Sequence, residues 1–412
     1  NSNSYSSNLY EGVYYAATHG AKIINCSWGN PHPSGIAQDI ITHVTMDLGC
    51  LVVAAAGNSN SESPLYPAAY DHVLSVASSD ENDLRAWFSN YGKTVDIIAP
   101  GSNIYTTNYD DSYRTDSGTS LSAPIVSGAA ALVWAHNPTF TPLQVAEQLR
   151  ISADETFYIN NSAYVNKLGN GRLNIARALT FQSPSIRASN QILVNSAGNA
   201  PWPGENVELY FDFTNYLKPS SAGLTITLTS TSPYINITQN RFTPGAMGTN
   251  QKVANSDRPF KLTLAASLPI DEPVEALLTF SDGSYVDTQL ISFVMPSFIN
   301  INENSITTTI TSAGRIGYGN SQSQNNGAGF VYNDEQLLYE MGVIMGTSST
   351  IVFDNVRSTG GGYNQDFTSA TKITKQTPGD RSYSEVTGTF INAAAVGSAS
   401  LHVSYQSMVW KN

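Results

Sequence analysis

The sequence predicts an α/β fold, a parallel sheet with helices on both faces, followed by β-sandwich domains. Two observations carry this prediction. Over residues 1–181, amphipathic helical patterns alternate with short, almost wholly apolar runs of strand length, which is typical of a parallel sheet buried on both sides. From residue 183 onward, runs alternate between apolar and polar residues, as half-buried antiparallel strands do.

The composition excludes some classes of function. The 412 residues carry 20 Lys and Arg against 32 Asp and Glu, a net charge of -12, which argues against a nucleic-acid partner. No apolar run approaches the length of a membrane span. Few charged residues and many Ser, Thr and Asn favour a secreted or cell-surface protein. Cys26 and Cys50 lie beside apolar runs, where a buried free thiol is the commoner state, although pairing stays open.

The first part of the chain is predicted to alternate between helices and strands. A first helix carries an apolar stripe from Leu9 to Ala17, and Ser34 can cap a second helix. The predicted strands are Ile23–Cys26, Leu51–Ala56, Val73–Ala77 and Val95–Pro100.

The stretch from Asp116 to His136 is the centre of the predicted site. Apolar and small residues from Leu121 to Trp134 surround the helix axis, so we expect a helix buried on nearly all sides. Its polar start, Thr119-Ser120, lies where backbone N–H groups lack partners, and Pro124 is tolerated in the first turn. A hydroxyl at this positive helix end is well placed to attack a carbonyl. The alternative is that Ser120 only caps the helix.

The sequence around this helix start, Gly118 to Pro124, is Gly-Thr-Ser-Leu-Ser-Ala-Pro. It closely resembles the nucleophile segment of the subtilisin-like serine proteases, the subtilase family. Five further segments resemble family signatures: Ile23–Gly29, Val53–Asn58, Phe88–Gly92, Ala99–Gly101 and Gly169–Asn174. The resemblance extends from about residue 8 to residue 181 and implies the parallel sheet of that family's catalytic domain.

The resemblance implies a serine endopeptidase in which Ser120 is the nucleophile. Asn58 and the Ser120 backbone N–H would then donate to the oxyanion, stabilising its charge more than the neutral carbonyl. Asn58 as a simple turn residue is the alternative. Two segments match those that bind substrate backbone and line the primary pocket, and they comprise Ser27, Trp28, Gly29, Ala55, Ala56 and Gly57. Trp28 replaces a commonly smaller residue and is expected to narrow a neighbouring subsite.

The sequence departs from the family at the base and the carboxylate of the catalytic triad. A serine hydroxyl needs an adjacent base that a third group orients, and the family motifs Asp-(Thr/Ser)-Gly and His-Gly-Thr-His do not occur. The histidines are His19, His32, His43, His72, His136 and His402, and none has the expected context. We therefore expect a fragment whose N-terminal strands, Asp and His come from a preceding segment, without which residues 1–181 are not autonomous. The alternative function is an inactive protease scaffold that acts as a surface binding or structural protein.

The rest of the chain is predicted to be β-rich. Residues 183–297 suggest an immunoglobulin- or fibronectin-like sandwich, similar to the accessory sandwiches of many secreted bacterial subtilisin-like proteases. Residues 300–412 form a further β-rich domain, with truncation at its end left open, and its strand candidates are Ile306–Thr311, Phe330–Tyr332, Ser349–Phe353 and Ala399–Tyr405.

No cofactor is expected for the chemistry. The acidic turns Asp110-Asp111 and Asp282-Gly283-Ser284 offer the oxygen ligands that calcium prefers, so structural calcium is one interpretation and solvated turns are the other. The expected partners are a protein or peptide substrate and the preceding segment that carries Asp and His, with no nucleic acid and no membrane span.

Overall fold

A parallel sheet flanked by helices occupies the first part of the chain, as the sequence predicts. The computed structural model describes residues 8–198, 201–270, 272–295, 297–303, 305–317, 329–333, 335–338, 340–348, 351–355, 366–392 and 401–410. Helices α1 to α5 are Leu9–Thr18, Gly35–Met46, Thr119–His136, Pro142–Ile151 and Ile175–Thr180. Strands β1 to β6 are Ile23–Cys26, Leu51–Ala55, Val73–Ser79, Ile97–Pro100, Ile104–Thr107 and Tyr113–Asp116. Strands β1, β2, β3 and β4 lie side by side in that order, each parallel to the next.

Burial of the central strands on both faces explains their apolar runs. Alternate residues of a strand point to opposite faces of a sheet. On β2, Leu51 and Val53 pack with α3 and α4, whereas Val52 and Ala54 pack with α1 and α2. Because helices cover both faces, every residue of β2 and β3 is buried. An alternating pattern would have placed polar side chains under one of these helix layers.

The two cysteines are free and buried, as expected. Both lie in the cluster between the sheet and helices α1 and α2. Burial raises the pKa of Cys26 to about 12, so its thiol stays protonated near neutral pH and is a poor nucleophile.

Helix α3 is buried on one side only, so the expected burial on nearly all sides is wrong. Val126, Ala130 and Val133 face the sheet and are fully buried. Residues three or four positions apart on the other side are exposed, and they are Pro124, Gly128, Ala131, Leu132 and Ala135. We call these five residues the α3 stripe. A side-chain carbon at Gly128 would meet no described atom within 4 Å.

Two packed antiparallel sheets follow the α/β part. Strands β7 to β15 are Ile186–Asn195, Asn206–Asn215, Thr225–Thr229, Ile235–Gln239, Arg241–Phe242, Gln251–Ala254, Phe260–Leu264, Pro273–Asp282 and Tyr285–Val294. One sheet has the order β10-β13-β8-β12, with β7 also paired to β8, and the other has the order β11-β9-β14-β15. Phe213 of the first sheet contacts Phe242 and Phe280 of the second, so the two sheets form a sandwich.

Strands continue through the described residues after 297. Strands β16 to β27 are Phe298–Glu303, Ile306–Thr311, Ile316–Gly317, Phe330–Tyr332, Glu335–Leu338, Glu340–Met341, Ile344–Ser348, Ile351–Asp354, Phe367–Ser369, Thr374–Gln376, Ser384–Asn392 and His402–Val409. The predicted strands Ile306–Thr311 and Phe330–Tyr332 are present as expected. Of the predicted strands Ser349–Phe353 and Ala399–Tyr405, residues 349–350 and 399–400 lie outside the described residues.

Contacts divide the chain into two compact units. The first comprises Asn1–Gly198, Asn206–Thr263 and Glu275–Ser292, and the second comprises Asn199–Glu205, Leu264–Val274 and Phe293–Asn412. The first unit therefore contains the α/β part together with most of the sandwich. The predicted domain limits, 1–181, 183–297 and 300–412, stay a prediction, because a unit defined by contacts can contain more than one domain.

A buried ion pair joins the α/β part to the sandwich within the first unit. Arg150 of α4 and Asp287 of β15 are each 1% exposed, and their charged atoms approach to 2.7 Å. The other guanidinium N–H groups of Arg150 donate to Glu147, Asn170 and Ser185. The arginine is thus fully hydrogen-bonded, and one of its carboxylate partners belongs to the sandwich.

We expect Asp287→Ala to lower the free energy of unfolding by about 3 to 5 kcal/mol, because it removes the more deeply buried of the two carboxylates that neutralise the Arg150 guanidinium. Denaturant unfolding of the whole chain, followed by circular dichroism, measures the loss. Asp257→Ala removes an exposed carboxylate and serves as the matched control, with little change expected.

The pH dependence of that loss provides a second readout. Burial by itself raises the pKa of Asp287, but Arg150 and the hydrogen bonds it donates bring the pKa below its ordinary value. The carboxylate therefore stabilises the fold above the unfolded pKa of about 3.9. The gap between Asp287→Ala and wild type should be full at neutral pH and shrink as the pH falls through the lowered pKa. A pH-independent gap would contradict this assignment.

Candidate active site

The predicted site residues gather at the carboxyl edge of the parallel sheet. Ser27 follows β1, Asn58 follows β2 and Gly101 follows β4. Because parallel strands all end at the same edge, the chain reverses there and leaves these residues near one another. The start of α3 lies over this edge, since Gly118 N donates to the Gly101 carbonyl at 2.8 Å.

Ser120 is held against the segment that follows β1. Its hydroxyl donates to the Ser27 carbonyl at 3.2 Å, and the Ser27 hydroxyl donates to the Ser120 carbonyl at 2.8 Å. Asn25 in turn donates to the Ser27 hydroxyl at 2.9 Å. Among the hydrogen bonds of the described residues, Ser120 has no imidazole partner, so this arrangement positions the hydroxyl without activating it.

The amide of Asn58 is fixed by the residue next to Ser120. Its Oδ1 accepts from both the backbone N and the Oγ1 of Thr119, each at 2.9 Å. A side-chain carbon placed on Gly118 would lie 3.5 Å from Asn58 Nδ2 and 3.7 Å from Ser120 N. Asn58 Nδ2 and Ser120 N therefore lie close to the same point beside Gly118, with Asn58 Oδ1 at 3.9 Å from it. Paired N–H groups beside a serine hydroxyl are the kind of donors that can stabilise an oxyanion.

Thr119 has a role in this site that sequence reasoning missed. Its side chain is fully buried, accepts from Gly57 N at 3.2 Å and donates to Asn58 Oδ1. One hydroxyl thus joins the loop after β2 to the start of α3. The signal was present in the Gly-Thr-Ser motif, in which a threonine stands beside the serine, but the motif alone does not show the direction of its hydroxyl.

Asn90 also supports the Asn58 loop. Its Oδ1 accepts from Ser59 N at 2.8 Å, and its backbone N donates to the Gly57 carbonyl at 2.9 Å. Gly57 has a φ of +112°, and a side-chain carbon there would lie only 2.5 Å from Asn90 Nδ2. Glycine is therefore required at position 57 for both its backbone conformation and its space.

Three of the predicted substrate-binding residues follow strands at the sheet edge, and they are Ser27, Gly29 and the buried Gly57. Ser27 is hydrogen-bonded to Ser120. Gly57 precedes Asn58 in the same turn. Gly29 is exposed, and a side-chain carbon there would overlap Leu65 at 2.3 Å. At Gly29 and Gly57, the lack of a side chain lets Leu65 and Asn90 pack directly against the backbone.

The other three predicted residues have side chains directed into packed clusters. Ala55 and Ala56 are buried in separate apolar clusters of the sheet. Trp28 is half-buried and meets Tyr10 of α1 edge to face, with ring centroids 5.1 Å apart. A substrate role for Ala55 and Ala56 would therefore use their backbone groups, and the binding role of all six residues stays a prediction.

None of the hydrogen bonds and ring contacts of the described histidines involves Ser120. His19 stacks on Tyr15 of α1 with ring centroids 3.8 Å apart. His43 pairs with Asp47 at 2.7 Å on α2. His136 ends α3, which places it about 24 Å along the helix axis from Ser120 at 1.5 Å per residue.

Metal binding has limited support in the described ranges, where no group of three or more His, Cys, Asp or Glu side chains is suited to hold an ion. In the acidic turns, Asp110 accepts from Ser112 and Asp282 accepts from Ser221. Calcium at these turns stays a prediction.

Comparisons with known proteins agree on one family. Residues 1–176 match the model of the Subtilase family. Subtilisin BL from Lederbergia lenta is 40% identical over 147 residues, which cover 36% of this chain and 54% of that protein. Thermitase from Thermoactinomyces vulgaris is 35% identical over 173 residues, which cover 41% of this chain and 58% of that protein.

A similar solved structure, the crystal structure of a cold adapted subtilisin-like serine proteinase, is 34% identical. The match covers 42% of this chain and 61% of that chain, with a TM-score of 0.36. The chain spans little more than half the length of the two curated relatives named above.

We expect Thr119→Val to lower the free energy of unfolding by about 1 to 3 kcal/mol, because the buried Gly57 N–H loses its acceptor. Amide hydrogen exchange over residues 55–61, measured by mass spectrometry, should become faster as the Asn58 loop loses its tie to α3. Thr119→Ser keeps the hydroxyl and is the matched control. Equal exchange in the valine and serine variants would contradict the role assigned to this hydroxyl.

Proposed function

Residues 1–176 belong to the subtilase family, and from this premise we propose that the chain is the nucleophile-bearing part of a serine endopeptidase. It would hydrolyse peptide bonds through an acyl-enzyme on Ser120. The observation that carries the proposal is the position of Asn58 Nδ2 and Ser120 N beside the same point next to Gly118. A site that served only as a scaffold has no need of two such donors next to a serine hydroxyl.

The proposed reaction follows from these positions. Ser120 Oγ attacks the scissile carbonyl and gives its proton to a base, while the carbonyl oxygen becomes an oxyanion that accepts from Asn58 Nδ2 and Ser120 N. The intermediate collapses when the base protonates the leaving amine, which departs and leaves the acyl group on Ser120. A water molecule then attacks the acyl group through the same steps, which releases the carboxylic acid product and restores Ser120. No cofactor enters these steps.

We place the base and its orienting carboxylate, His and Asp, on a segment outside this sequence. In the described part of the chain, β1 pairs with β2 along one edge only. The α3 stripe lies on the helix that packs beside β1, where the Ser127 hydroxyl bonds Asn25 at 3.2 Å. An unpaired strand edge next to an apolar helix face is a surface that proteins normally cover. A segment that covers it would reach Ser120.

We further propose that the protein is secreted or held at the cell surface, as its low content of charged residues suggests. No helix among the described residues is both long and apolar enough to cross a membrane.

The second candidate function is an inactive protease scaffold that binds partners. One observation favours it, because the Ser120 hydroxyl bonds a backbone carbonyl instead of a base. The two candidates differ in whether Ser120 becomes reactive when the missing groups are present.

Fluorophosphonate labelling of the purified protein, with every associated polypeptide identified by intact mass, separates these functions. We expect label on Ser120 in material that contains a segment with His and Asp, and none in Ser120→Ala. Ser122→Ala, which changes a buried serine two residues away, should still be labelled. A complete assembly that takes up no label would favour the scaffold.

Removal of one oxyanion donor should slow turnover with little change in KM. For Asn58→Ala we expect kcat to fall roughly 100- to 1000-fold, the cost known for loss of such a donor in subtilisin. Steady-state kinetics on a peptide substrate measure the effect, and Asn82→Ala, an exposed residue, is the control. An unchanged kcat would remove Asn58 from the mechanism.

A further inference from the structure

A pocket that the proposed reaction does not use lies where three helices of the α/β part meet two loops of the sandwich. Its volume is about 300 Å³, which is within the range of small-molecule sites. It lies inside the first unit, among the end of α3, helix α4, the end of α5 and the loops after β8 and before β12. We call it the α4 pocket, and the residues that line it include Phe140, Gln148, Leu179, Phe181, Leu217 and Lys218.

Much of the pocket wall is apolar and held in place by packing. Phe140 and Leu179 are partly buried and pack against the core of the α/β part, and Leu217 is 5% exposed. The guanidinium of Arg177 lies over the Phe181 ring, 4.4 Å from its centroid, which fixes that ring. A ligand could therefore bury an apolar group among four side chains that are already ordered.

A buried hydrogen-bond acceptor also lines the pocket. Gln148 is 6% exposed, and its Nε2 donates to the carbonyls of Ala178 and Phe181 at 2.9 and 2.8 Å. Because both partners are acceptors, the remaining side-chain atom is the oxygen. This Oε1 accepts no hydrogen bond from the residues that the structure describes. It is not among the fully buried atoms that lack a partner, so it is accessible from the pocket and suited to a ligand N–H.

The charges around the pocket are positive. Lys218 and His136 are the ionisable residues that line it, and Arg177 lies against Phe181. Within the described ranges, neither Lys218 nor Arg177 has a carboxylate partner, although the chain as a whole carries a net charge of -12. Unpaired cations beside an apolar pocket favour a ligand that carries an anionic group.

The helix ends at the pocket do not reverse this preference. Helices α3 and α5 both end there, and the free carbonyls of a helix C-terminus attract cations. Gln148 already donates to two of the carbonyls at the end of α5. Asn137 donates from Nδ2 to the Val133 carbonyl of α3 at 3.2 Å, and Arg177 lies in the last turn of α5. The helix ends thus have partners of their own, and Lys218 remains for an anionic group.

We propose that the α4 pocket binds the carboxyl end of a peptide whose last side chain is apolar. That side chain would lie among the four apolar residues of the wall. The N–H of the last peptide residue would donate to Gln148 Oε1, and the terminal carboxylate would pair with Lys218. A free amino acid fits less well, because an ammonium would replace the neutral N–H and meet the positive charges. This inference concerns binding alone and does not depend on the proposed endopeptidase function.

The test is a ligand-observed NMR titration of the whole protein with N-acetyl-Ala-Ala-Phe. The protein carries Ser120→Ala, so that the peptide is not hydrolysed during the measurement. We expect one saturable site with a Kd of about 0.1 to 1 mM. The carboxamide form of the same peptide lacks the charge and should bind roughly threefold more weakly. N-acetyl-Ala-Ala-Ala lacks the large apolar side chain and should bind roughly tenfold more weakly or worse.

Variants locate the site within the protein. Lys218→Met should reduce the affinity for the acid to that for the carboxamide, whereas Lys218→Arg keeps the charge and should keep the affinity. Leu179→Trp fills the pocket and should abolish binding. Lys22→Met removes an exposed lysine just before β1 and is the matched control, with unchanged affinity expected.

Each contrary result overturns a stated part of the proposal. No saturable binding up to roughly 10 mM peptide, or equal binding by a folded Leu179→Trp variant, would remove the α4 pocket as a site. Equal affinities for the acid and the carboxamide would remove the contact with Lys218. Binding of N-acetyl-phenylalanine without binding of the tripeptide would exclude a peptide as the ligand. If Leu179→Trp loses its circular dichroism signal, Lys218→Met and the ligand series decide the question.

Discussion

The pairing of Arg150 with Asp287 is the interaction on which the architecture of the first unit depends. A guanidinium keeps its charge at all accessible pH values, so a buried arginine requires a carboxylate and partners for all of its N–H groups. The α/β part supplies Glu147 and Asn170, and the sandwich side supplies Asp287 and Ser185. The sandwich therefore completes the interior of the α/β part as well as packing its own core. Replacement of the pair by apolar residues could be equally stable, so the pair is best understood as fixing which surfaces meet.

A continuous series of contacts leads from this ion pair toward the proposed nucleophile. Asn170 bonds both Arg150 and Asp287, and Gly171 accepts from Ile98 of β4. Strand β4 then ends beside Gly101, whose carbonyl holds Gly118. Spatial continuity is not energetic coupling. It does mean that the backbone carrying the proposed oxyanion donors is built on elements that the sandwich helps to hold.

The sequence indicates which residues could carry out the chemistry better than it indicates which residues hold them in place. Ser120 and Asn58 follow motifs with fixed spacing, and the edge of a parallel sheet brings them together. The hydroxyl of Thr119 could not be assigned, because a threonine at a helix start can bond in several directions. The exposed side of α3 was missed because glycine and alanine occur on both buried and open faces. Arg150 and Asp287 lie 137 residues apart, and no local pattern indicates that they pair.

The two halves of the proposed catalysis are physically separable. Stabilisation of the oxyanion depends on fixed donors, and this chain positions them through Thr119, Gly118 and the Asn58 loop. Proton transfer depends on a base whose position relative to Ser120 must be set by other groups. In proteases with this triad, the oxyanion hole and binding alone retain roughly 1000- to 10,000-fold of the rate enhancement when the triad is removed. Under the proposed function, the chain would supply the electrostatic half of catalysis, and the other half would have to dock across the α3 stripe beside β1.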